Sequence, residues 1–242
     1  MKPEIQTRCS TGRASLLGLL ASVSLVAMAT AASAQSAIGS ASLVQNEVTG
    51  TGKGKLGVGD NIFLNEIIRT GAASLARLGF LDSTNVSVGA SSQLTLDKFV
   101  YSGGGTAKSV VFNAARGSFR FISGSSPSEA YKVLTPEAAI GVRGTTYDVQ
   151  VSAGRTTVVL ISGAANVCLR AGAPNRCVEL RQPCESVTLT NRALGNKVGG
   201  DVLKWSFDST CNGGSNFWRP DAPLGNNSPP PSPPSPPSPR SY

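Results

Sequence analysis

Short segments of alternating apolar and polar residues, separated by turn residues, dominate the chain from Asn46 onward. Glycine, asparagine, aspartate or serine interrupts the alternation roughly every 8–12 residues, the spacing of short strands in a sandwich, barrel or roll. No long apolar stripe with the period of a helix survives these interruptions. The sequence therefore predicts an all-β fold, a compact sandwich or β-roll of many short strands.

Two segments show the alternation most clearly. Gln93–Tyr101 places aliphatic residues on one face and polar residues on the other, so one face is predicted to be buried. In Gly117–Ser123, Phe119 and Phe121 share a face that Arg120 does not. Further strands are predicted at Glu66–Thr70, Ala73–Leu81, Asn85–Val88, Ser109–Ala114, Ala130–Thr135, Ala138–Gly141, Thr145–Val151, Thr156–Ser162, Val178–Leu180 and Ser186–Leu189.

The N-terminus has the pattern of a secretory signal. Met1–Arg13 carries an excess of basic residues, and residues 14–32 form an apolar run without a charge. The run ends with small side chains at Ala32 and Ala34, as a signal peptidase requires, so cleavage after Ala34 is predicted. An uncleaved anchor is the alternative, because the run approaches the length of a spanning helix. Cleavage would give a periplasmic or secreted protein without an integral membrane span.

The overall charge balance of the chain is basic. The 242 residues carry a formal charge of +8, and removing the signal, with three basic groups and one acidic group, leaves +6. Anionic partners such as cell-surface polymers are compatible with this charge, and so is a simple gain in solubility. No block of five or more basic residues occurs, and no nucleic-acid partner is predicted.

Four cysteines remain after the predicted cleavage: Cys168, Cys177, Cys184 and Cys211. An even number in an oxidising compartment indicates two disulfides, and four cysteines allow three pairings. Local loop closure favours Cys168 with Cys177 and Cys184 with Cys211. A metal site is not predicted, since the spacing is not that of a zinc site and the chain has no histidine.

The composition divides the chain into five parts. Cysteine, proline and arginine enter after Val167, and from Pro220 the chain contains almost nothing that a core could bury. About forty residues cannot bury much core alone, so the cysteine-containing part is predicted to extend the main domain. The predicted parts are a signal peptide (1–34), a lead-in strand region (35–57), the main β domain (58–167), a disulfide-braced extension (168–219) and a disordered Pro/Ser-rich tail (220–242).

The residue types argue against catalysis. Without histidine, Ser-His-Asp and Cys-His catalysis within one chain are excluded. Paired carboxylates can still hydrolyse glycosides, but nothing singles out two of them. Trp205 and Trp218 could stack on sugar rings, or they could bury the C-terminal extension. We therefore predict a protein that is not an enzyme and needs no cofactor.

Several segments resemble the FecR domain family. The first half of the resemblance includes Ile68–Gly71, and the second half includes Ala115–Phe121. The most specific match is Val133–Val149, which reads VLTPEAAIGVRGTTYDV, with Tyr147 in place of the more usual phenylalanine. The resemblance covers about half of the chain.

The signature has a physical interpretation as a turn followed by a bent strand. Pro136 fixes its own φ and ends the preceding strand, and the two glycines permit a bend or bulge on either side of Arg143. Arg143 is expected to pair with Glu137 or Asp148, or to contact a ligand. The residues of this signature turn are Thr135, Pro136, Gly141, Arg143, Gly144 and Thr145.

The resemblance also implies a compartment and a class of function. FecR domains lie outside the cytoplasmic membrane, and regulators of the iron-citrate type relay transporter status to a sigma factor through a cytoplasmic segment. Only about thirteen residues precede the apolar run here, so a stand-alone domain without the anti-sigma segment is expected. The predicted function is a sensing or binding module that recognises an envelope protein or polymer. The alternative is a glycan-binding module or carbohydrate-active enzyme that uses the C-terminal aromatic residues and carboxylates; the oligomeric state is left open.

Overall fold

A computed structural model describes residues 35–170 and 176–199 together with Cys211, all within one compact unit that begins at Gln35. The predicted signal peptide, the Pro/Ser-rich tail, Trp205 and Trp218 lie outside the described residues. No helix within the described part is long and apolar enough to cross a membrane.

The described residues form strands joined by tight turns, as the alternating pattern predicts. A single 3-10 turn at Ser128–Ala130 precedes β10. The strands are β1 (Ala37–Gln45), β2 (Val48–Gly50), β3 (Gly54–Lys55), β4 (Asn61–Phe63), β5 (Ile67–Thr70), β6 (Leu75–Phe80), β7 (Asn85–Val88), β8 (Gln93–Gly103), β9 (Thr106–Ile122), β10 (Tyr131–Leu134), β11 (Ala138–Ser152), β12 (Arg155–Leu169), β13 (Cys177–Leu180) and β14 (Ser186–Thr190).

Three long strands connect the two layers of the fold. The first half of β9 lies between β8 and β10, and its second half lies between β7 and β11. The first part of β11 pairs with β10, and its second part pairs with β9. Strand β12 pairs with β14 at its start and with β13 at its end. Each long strand therefore contributes to both layers. This arrangement is the predicted β-roll, and it joins segments such as Ala138–Gly141 and Thr145–Val151 into one bent strand.

The core lies between the two layers and is centred on aromatic side chains. Phe80 of β6 packs against Phe112 of β9 with ring centroids 5.0 Å apart, and Phe112 contacts Phe121 at 5.7 Å. Aliphatic residues of both layers complete one continuous buried cluster. Aromatic contacts of this kind stabilise beyond the area they bury, so they hold the two layers together.

The N-terminal lead-in region is an integral part of this core. β1 pairs with β6 on one side and β4 on the other, and Ile38 and Ala41 are buried. Its small and polar residues gave no strong strand signal, because β-propensity depends on the neighbours that a strand packs against. Here the neighbours, and not the local sequence, determine the strand.

The C-terminal extension is fastened by the two disulfides that loop closure favours. Cys168 bonds to Cys177 and joins β12 to β13, while Cys184 bonds to Cys211. Within the described residues β13 pairs with β12 alone, and its own four residues bury only Leu180 fully. The first disulfide therefore reinforces the pairing of this edge strand with β12.

Replacing Cys168 and Cys177 together by serine should release β13. The bridge joins residues 9 positions apart, and closing a loop of that size stabilises by about 2–3 kcal/mol. We expect the free energy of unfolding in urea to fall by that amount, with faster amide hydrogen exchange in β13. The variant lacking Cys184 and Cys211 is the control, since it keeps β13 clamped; equal exchange of β13 in both variants would contradict this account.

Candidate binding surface

The turn between β10 and β11 is held by its own side chains. The Thr135 hydroxyl accepts a hydrogen bond from the backbone N–H of Ala138 at 2.8 Å. Glu137 is buried, and its carboxylate accepts the hydroxyl proton of Thr156 at 2.7 Å. Pro136 is exposed and lies two residues after the end of β10, where its missing N–H costs nothing. This part of the signature therefore fixes a turn against β12 and offers little to a ligand.

A bulge follows at Gly144 and Thr145, where β11 changes partners. Gly144 has a φ of +54° and Gly163 of the facing strand a φ of +84°, a region that favours glycine. A Cβ on Gly163 would lie 2.2 Å from the carbonyl oxygen of Gly144, so the two strands approach too closely for any side chain there. The Thr145 hydroxyl donates to the carbonyl oxygen of Ala164 at 2.6 Å and accepts from the N–H of Arg143 at 2.9 Å. The predicted bulge is present and is built by these contacts.

Gly141 does not take part in this bulge. It pairs regularly with Lys132 and Asn166, and the register of β11 shifts only after Arg143. A Cβ at Gly141 would meet nothing within 4 Å. The prediction that both glycines form the bend is therefore wrong for Gly141, which instead leaves a gap on the outer surface of the sheet.

Arg143 has neither of the predicted acidic partners. Its side chain is exposed, and it forms no ion pair within the described part of the chain. Asp148 instead binds Arg120 through two hydrogen bonds, from Nε at 2.7 Å and from Nη2 at 2.9 Å. Glu137 is engaged by Thr156. The expectation that Arg143 pairs with Glu137 or Asp148 is therefore wrong, and contact with a ligand stays a prediction.

The Arg120–Asp148 pair is the most deeply buried charge pair of the described residues. The side chains are 2% and 0% exposed. Register brings them together, because Arg120 of β9 lies opposite Asp148 of β11 and next to Ser87 of β7. A fork-shaped pair of hydrogen bonds is the strongest form of this interaction. The pair therefore locks the register of three strands.

Tyr147 is a core residue, as the phenylalanine of the signature would be. Its ring stacks on Phe121 at 5.4 Å and is 1% exposed. Burial raises the pKa of its hydroxyl well above the usual value, so the group stays neutral. The substitution keeps the packing role of an aromatic side chain.

A second buried carboxylate, at Asp82, was not singled out from the sequence. Asp82 is fully buried and accepts hydrogen bonds from the hydroxyls of Ser126 at 2.7 Å and Tyr131 at 2.9 Å. The backbone N–H of Thr84 also donates to it, at 3.1 Å. These contacts tie the segment after β9 to the start of β10 and keep the outer face of β10 in place.

Exposed positive charges lie on the outer face of the sheet that carries Arg143. Four residues are paired in succession across neighbouring strands: Lys98 of β8, Val111 of β9, Lys132 of β10 and Gly141 of β11. Paired residues of neighbouring strands lie on the same face of a sheet, so these four positions share one face. Arg143 follows Gly141 by two residues and points to the same side. We call Lys98, Lys132 and Arg143 the basic face. Lys132 occupies the polar position of an alternating segment, which is a signal of its exposure. Lys98 has the parity of the buried Leu94 and Leu96 and is exposed because the register shifts between Leu96 and Lys98.

The described cavities do not form an enclosed ligand pocket. A cavity of about 10 Å³ lies beneath Lys132 and is far below the roughly 300 Å³ of a small-molecule site. A larger cleft of about 500 Å³ is widely open to solvent. Its lining residues are Asn46, Glu47, Thr49 and Lys55. The described residues also contain no group of three or more metal-binding side chains. The basic face is therefore the candidate binding surface.

Glu185 gives the C-terminal extension a dependence on pH. Burial raises its pKa, but hydrogen bonds from Lys197 and from the N–H groups of Arg181 and Gln182 outweigh this and lower the pKa from 4.5 to about 2. A carboxylate with a lowered pKa stabilises the fold above its unfolded pKa and loses that contribution as pH falls. We expect the free energy of unfolding to decrease between about pH 4.5 and pH 2.

Glu185→Gln isolates this contribution. The difference in unfolding free energy between wild type and variant should be constant above about pH 5 and shrink towards pH 2, measured by urea unfolding at each pH. The pKa of Asp60 is also lowered, by its hydrogen bond with Lys53. Asp60 is present in wild type and variant alike, so its contribution cancels in the difference between their unfolding free energies. A difference that does not vary with pH would contradict the role of Glu185.

A known family model matches part of the chain. The described part of the chain is a bent, two-layered β domain in which a threonine-proline turn and a glycine bulge set the path of β11. Residues 66–166 match the family model described as FecR protein. The match supports a sensing or signalling module.

Two solved structures give partial alignments with this chain. Two crystal structures of a candidate anti-sigma factor from Parabacteroides distasonis ATCC 8503 align with TM-scores of 0.43 and 0.42, at 17% and 16% sequence identity. Each alignment covers 55% of this chain and 57% of the other, so the chain spans just over half of the length of those proteins. No curated protein gives a match.

Proposed function

We propose that this chain is a non-catalytic recognition module of the bacterial envelope, which binds an envelope protein or polymer outside the cytoplasm. The observation that carries the proposal is a FecR domain whose signature arginine, Arg143, is exposed and unpaired while the other signature residues build the scaffold. Residues that a fold does not need for stability and that it presents on rigid strands are suited to contact a partner.

A location outside the cytoplasm is supported by the cysteines and by the N-terminal sequence. The two disulfides fasten the extension at Cys168–Cys177 and Cys184–Cys211, and disulfides persist mainly in oxidising compartments. The signal-like pattern of residues 1–34 would deliver the chain there.

Recognition without reaction is supported by the way the buried carboxylates are used. Asp82, Glu137 and Asp148 each hold strands or turns through hydrogen bonds to neighbouring side chains. Glu66 is also buried and accepts the N–H of Phe63 at 3.0 Å. Together with the lack of histidine in the sequence, this leaves side chains better suited to contact than to proton transfer.

Site-specific photo-crosslinking in intact cells tests the proposal. A photoreactive amino acid is placed at Lys132 on the basic face and, as a control, at Arg155, which is exposed at the start of β12. We expect Lys132 to give crosslinks to an envelope component that Arg155 does not give. Crosslinks from neither position, or a chain found inside the cell with reduced cysteines, would overturn the proposal.

A parallel hydrolysis assay tests the alternative that the chain is a carbohydrate-active enzyme. Purified full-length chain is incubated with a panel of polysaccharides, and the release of reducing ends is followed. We expect no release. Turnover that disappears on substitution of one aspartate or glutamate would replace the proposed function by glycoside hydrolysis.

A further inference from the structure

The basic face combines three cations on a rigid surface. Lys98, Lys132 and Arg143 come from β8, β10 and β11, with β9 completing the sheet between the two lysines. All three side chains are exposed. Strands in one hydrogen-bonded sheet keep their spacing, so the positive charges are held at fixed intervals.

The register gives these intervals. Lys98 and Lys132 both align with Val111, one strand away on either side, which places their Cα atoms about 10 Å apart. Arg143 lies one strand and two residues from Lys132, at about 8 Å. The charges form a row and do not converge on one point, so a single small anion would contact only part of it. A polymer with repeated negative charges would contact all three.

Neighbouring acidic groups do not neutralise the row. No described residue forms an ion pair with Lys98, Lys132 or Arg143. Asp97 accepts a hydrogen bond from the side-chain amide of Asn113, and Glu179 is paired with Arg181 at 2.7 Å. Glu129 is exposed in the turn before β10 and makes no ion pair with the described residues. The carboxylates of Asp97 and Glu129 offset part of the charge of the three cations, and Glu179 is offset by Arg181, so the face keeps a smaller local excess of positive charge.

Small side chains lie between the cations, and an exposed amide lies beside them. The centre of this surface consists of half-buried Val111, Gly141 without a side chain, and the exposed amide of Asn166. Protein interfaces usually depend on a central cluster of large aromatic or apolar anchors, which this centre lacks. Hydrogen-bonding groups beside a row of cations fit a hydroxyl-rich chain that carries carboxylates.

We propose that the basic face binds a linear acidic polysaccharide, with Lys98, Lys132 and Arg143 contacting successive carboxylates and Asn166 contacting a hydroxyl. This inference rests on the proposed recognition function and names its ligand class. The gap at Gly141 lets the polymer lie against the sheet between Lys132 and Arg143.

Binding of the full chain to polygalacturonate tests the inference. The variant K98Q/K132Q/R143Q removes three charges from the face, and the matched variant K55Q/R155Q/R192Q removes three exposed charges elsewhere. We expect wild type and the matched variant to bind at low salt, and the face variant to bind about tenfold more weakly, because three exposed ion pairs are lost. Binding should disappear at about 1 M salt. Thermal unfolding of both variants checks that each is folded.

The controls separate this inference from other sources of binding. Neutral dextran, and vesicles of equal parts phosphatidylcholine and phosphatidylglycerol, are tested beside polygalacturonate. Equal weakening in both triple variants, stronger binding to the vesicles than to the polysaccharide, or no binding to polygalacturonate would overturn the inference. The photo-crosslinking result at Lys132 is independent of these outcomes, so the recognition function can stand if the polysaccharide does not.

Discussion

Asp148→Asn should lower the free energy of unfolding by about 3–5 kcal/mol, one of the two largest effects expected in this chain. The substitution keeps the shape of the side chain but removes the charge opposite Arg120, whose side chain is 2% exposed. Breaking a buried pair costs this much because the remaining charge stays desolvated without its counter-ion. Urea unfolding followed by circular dichroism measures the change.

The exposed pair of Glu179 and Arg181 provides the matched control. Its atoms are also 2.7 Å apart, but the side chains are 45% and 71% exposed. Glu179→Gln should therefore cost less than about 1 kcal/mol. Equal costs for the two substitutions would show that Asp148 and Arg120 are not buried as a pair.

Gly163→Ala should destabilise the domain by more than about 2 kcal/mol and disturb the path of β11. The new Cβ would meet the carbonyl oxygen of Gly144 at 2.2 Å, and the backbone at φ +84° disfavours any residue with a side chain. Strand β12 would have to move away from the bulge, and the Thr145 contact to Ala164 would be lost with it. Thermal unfolding and amide exchange in β11 report both effects.

Gly141→Ala is the control for this prediction. It lies in the same strand and the same signature, but its Cβ would meet nothing within 4 Å and its φ is not positive. Alanine is the better residue in a regular strand, so stability should stay equal or rise by up to about 1 kcal/mol. A larger loss of stability in Gly141→Ala than in Gly163→Ala would contradict the assignment of the bulge to Gly144 and Gly163.

Much of the fold follows from local sequence. Asn85–Val88 has the bounds that its alternation predicts. Most other predicted strands agree to within a few residues or merge into longer ones, while Thr156–Ser162 extends to Leu169. The local sequence does not show which predicted strands merge into one, because Gly117 and Gly144 bend β9 and β11 without ending them. β1 gave little signal, since its small residues acquire their burial only from β4 and β6.

The candidate site was less accessible to sequence reasoning. Alternation places Asp148 on the face opposite Tyr147, but it cannot show that Arg120, 28 residues away, is its partner. That pairing depends on long-range register, and it is the reason that Arg143 is left without a partner. Lys98 and Lys132 have unremarkable local sequences, and only the strand order brings them into one row with Arg143.

The central claim is that the signature divides into a buried part that builds the scaffold and an exposed arginine that meets the partner. Parallel measurement of stability and binding in Arg143→Ala and Thr145→Val tests this division most directly. Thr145 is 2% exposed and holds the bulge through two hydrogen bonds. We predict that Arg143→Ala changes the unfolding free energy by less than about 0.5 kcal/mol but weakens partner crosslinking from Lys132, while Thr145→Val lowers stability by about 1–3 kcal/mol. A marked loss of stability in Arg143→Ala with unchanged crosslinking would contradict the account.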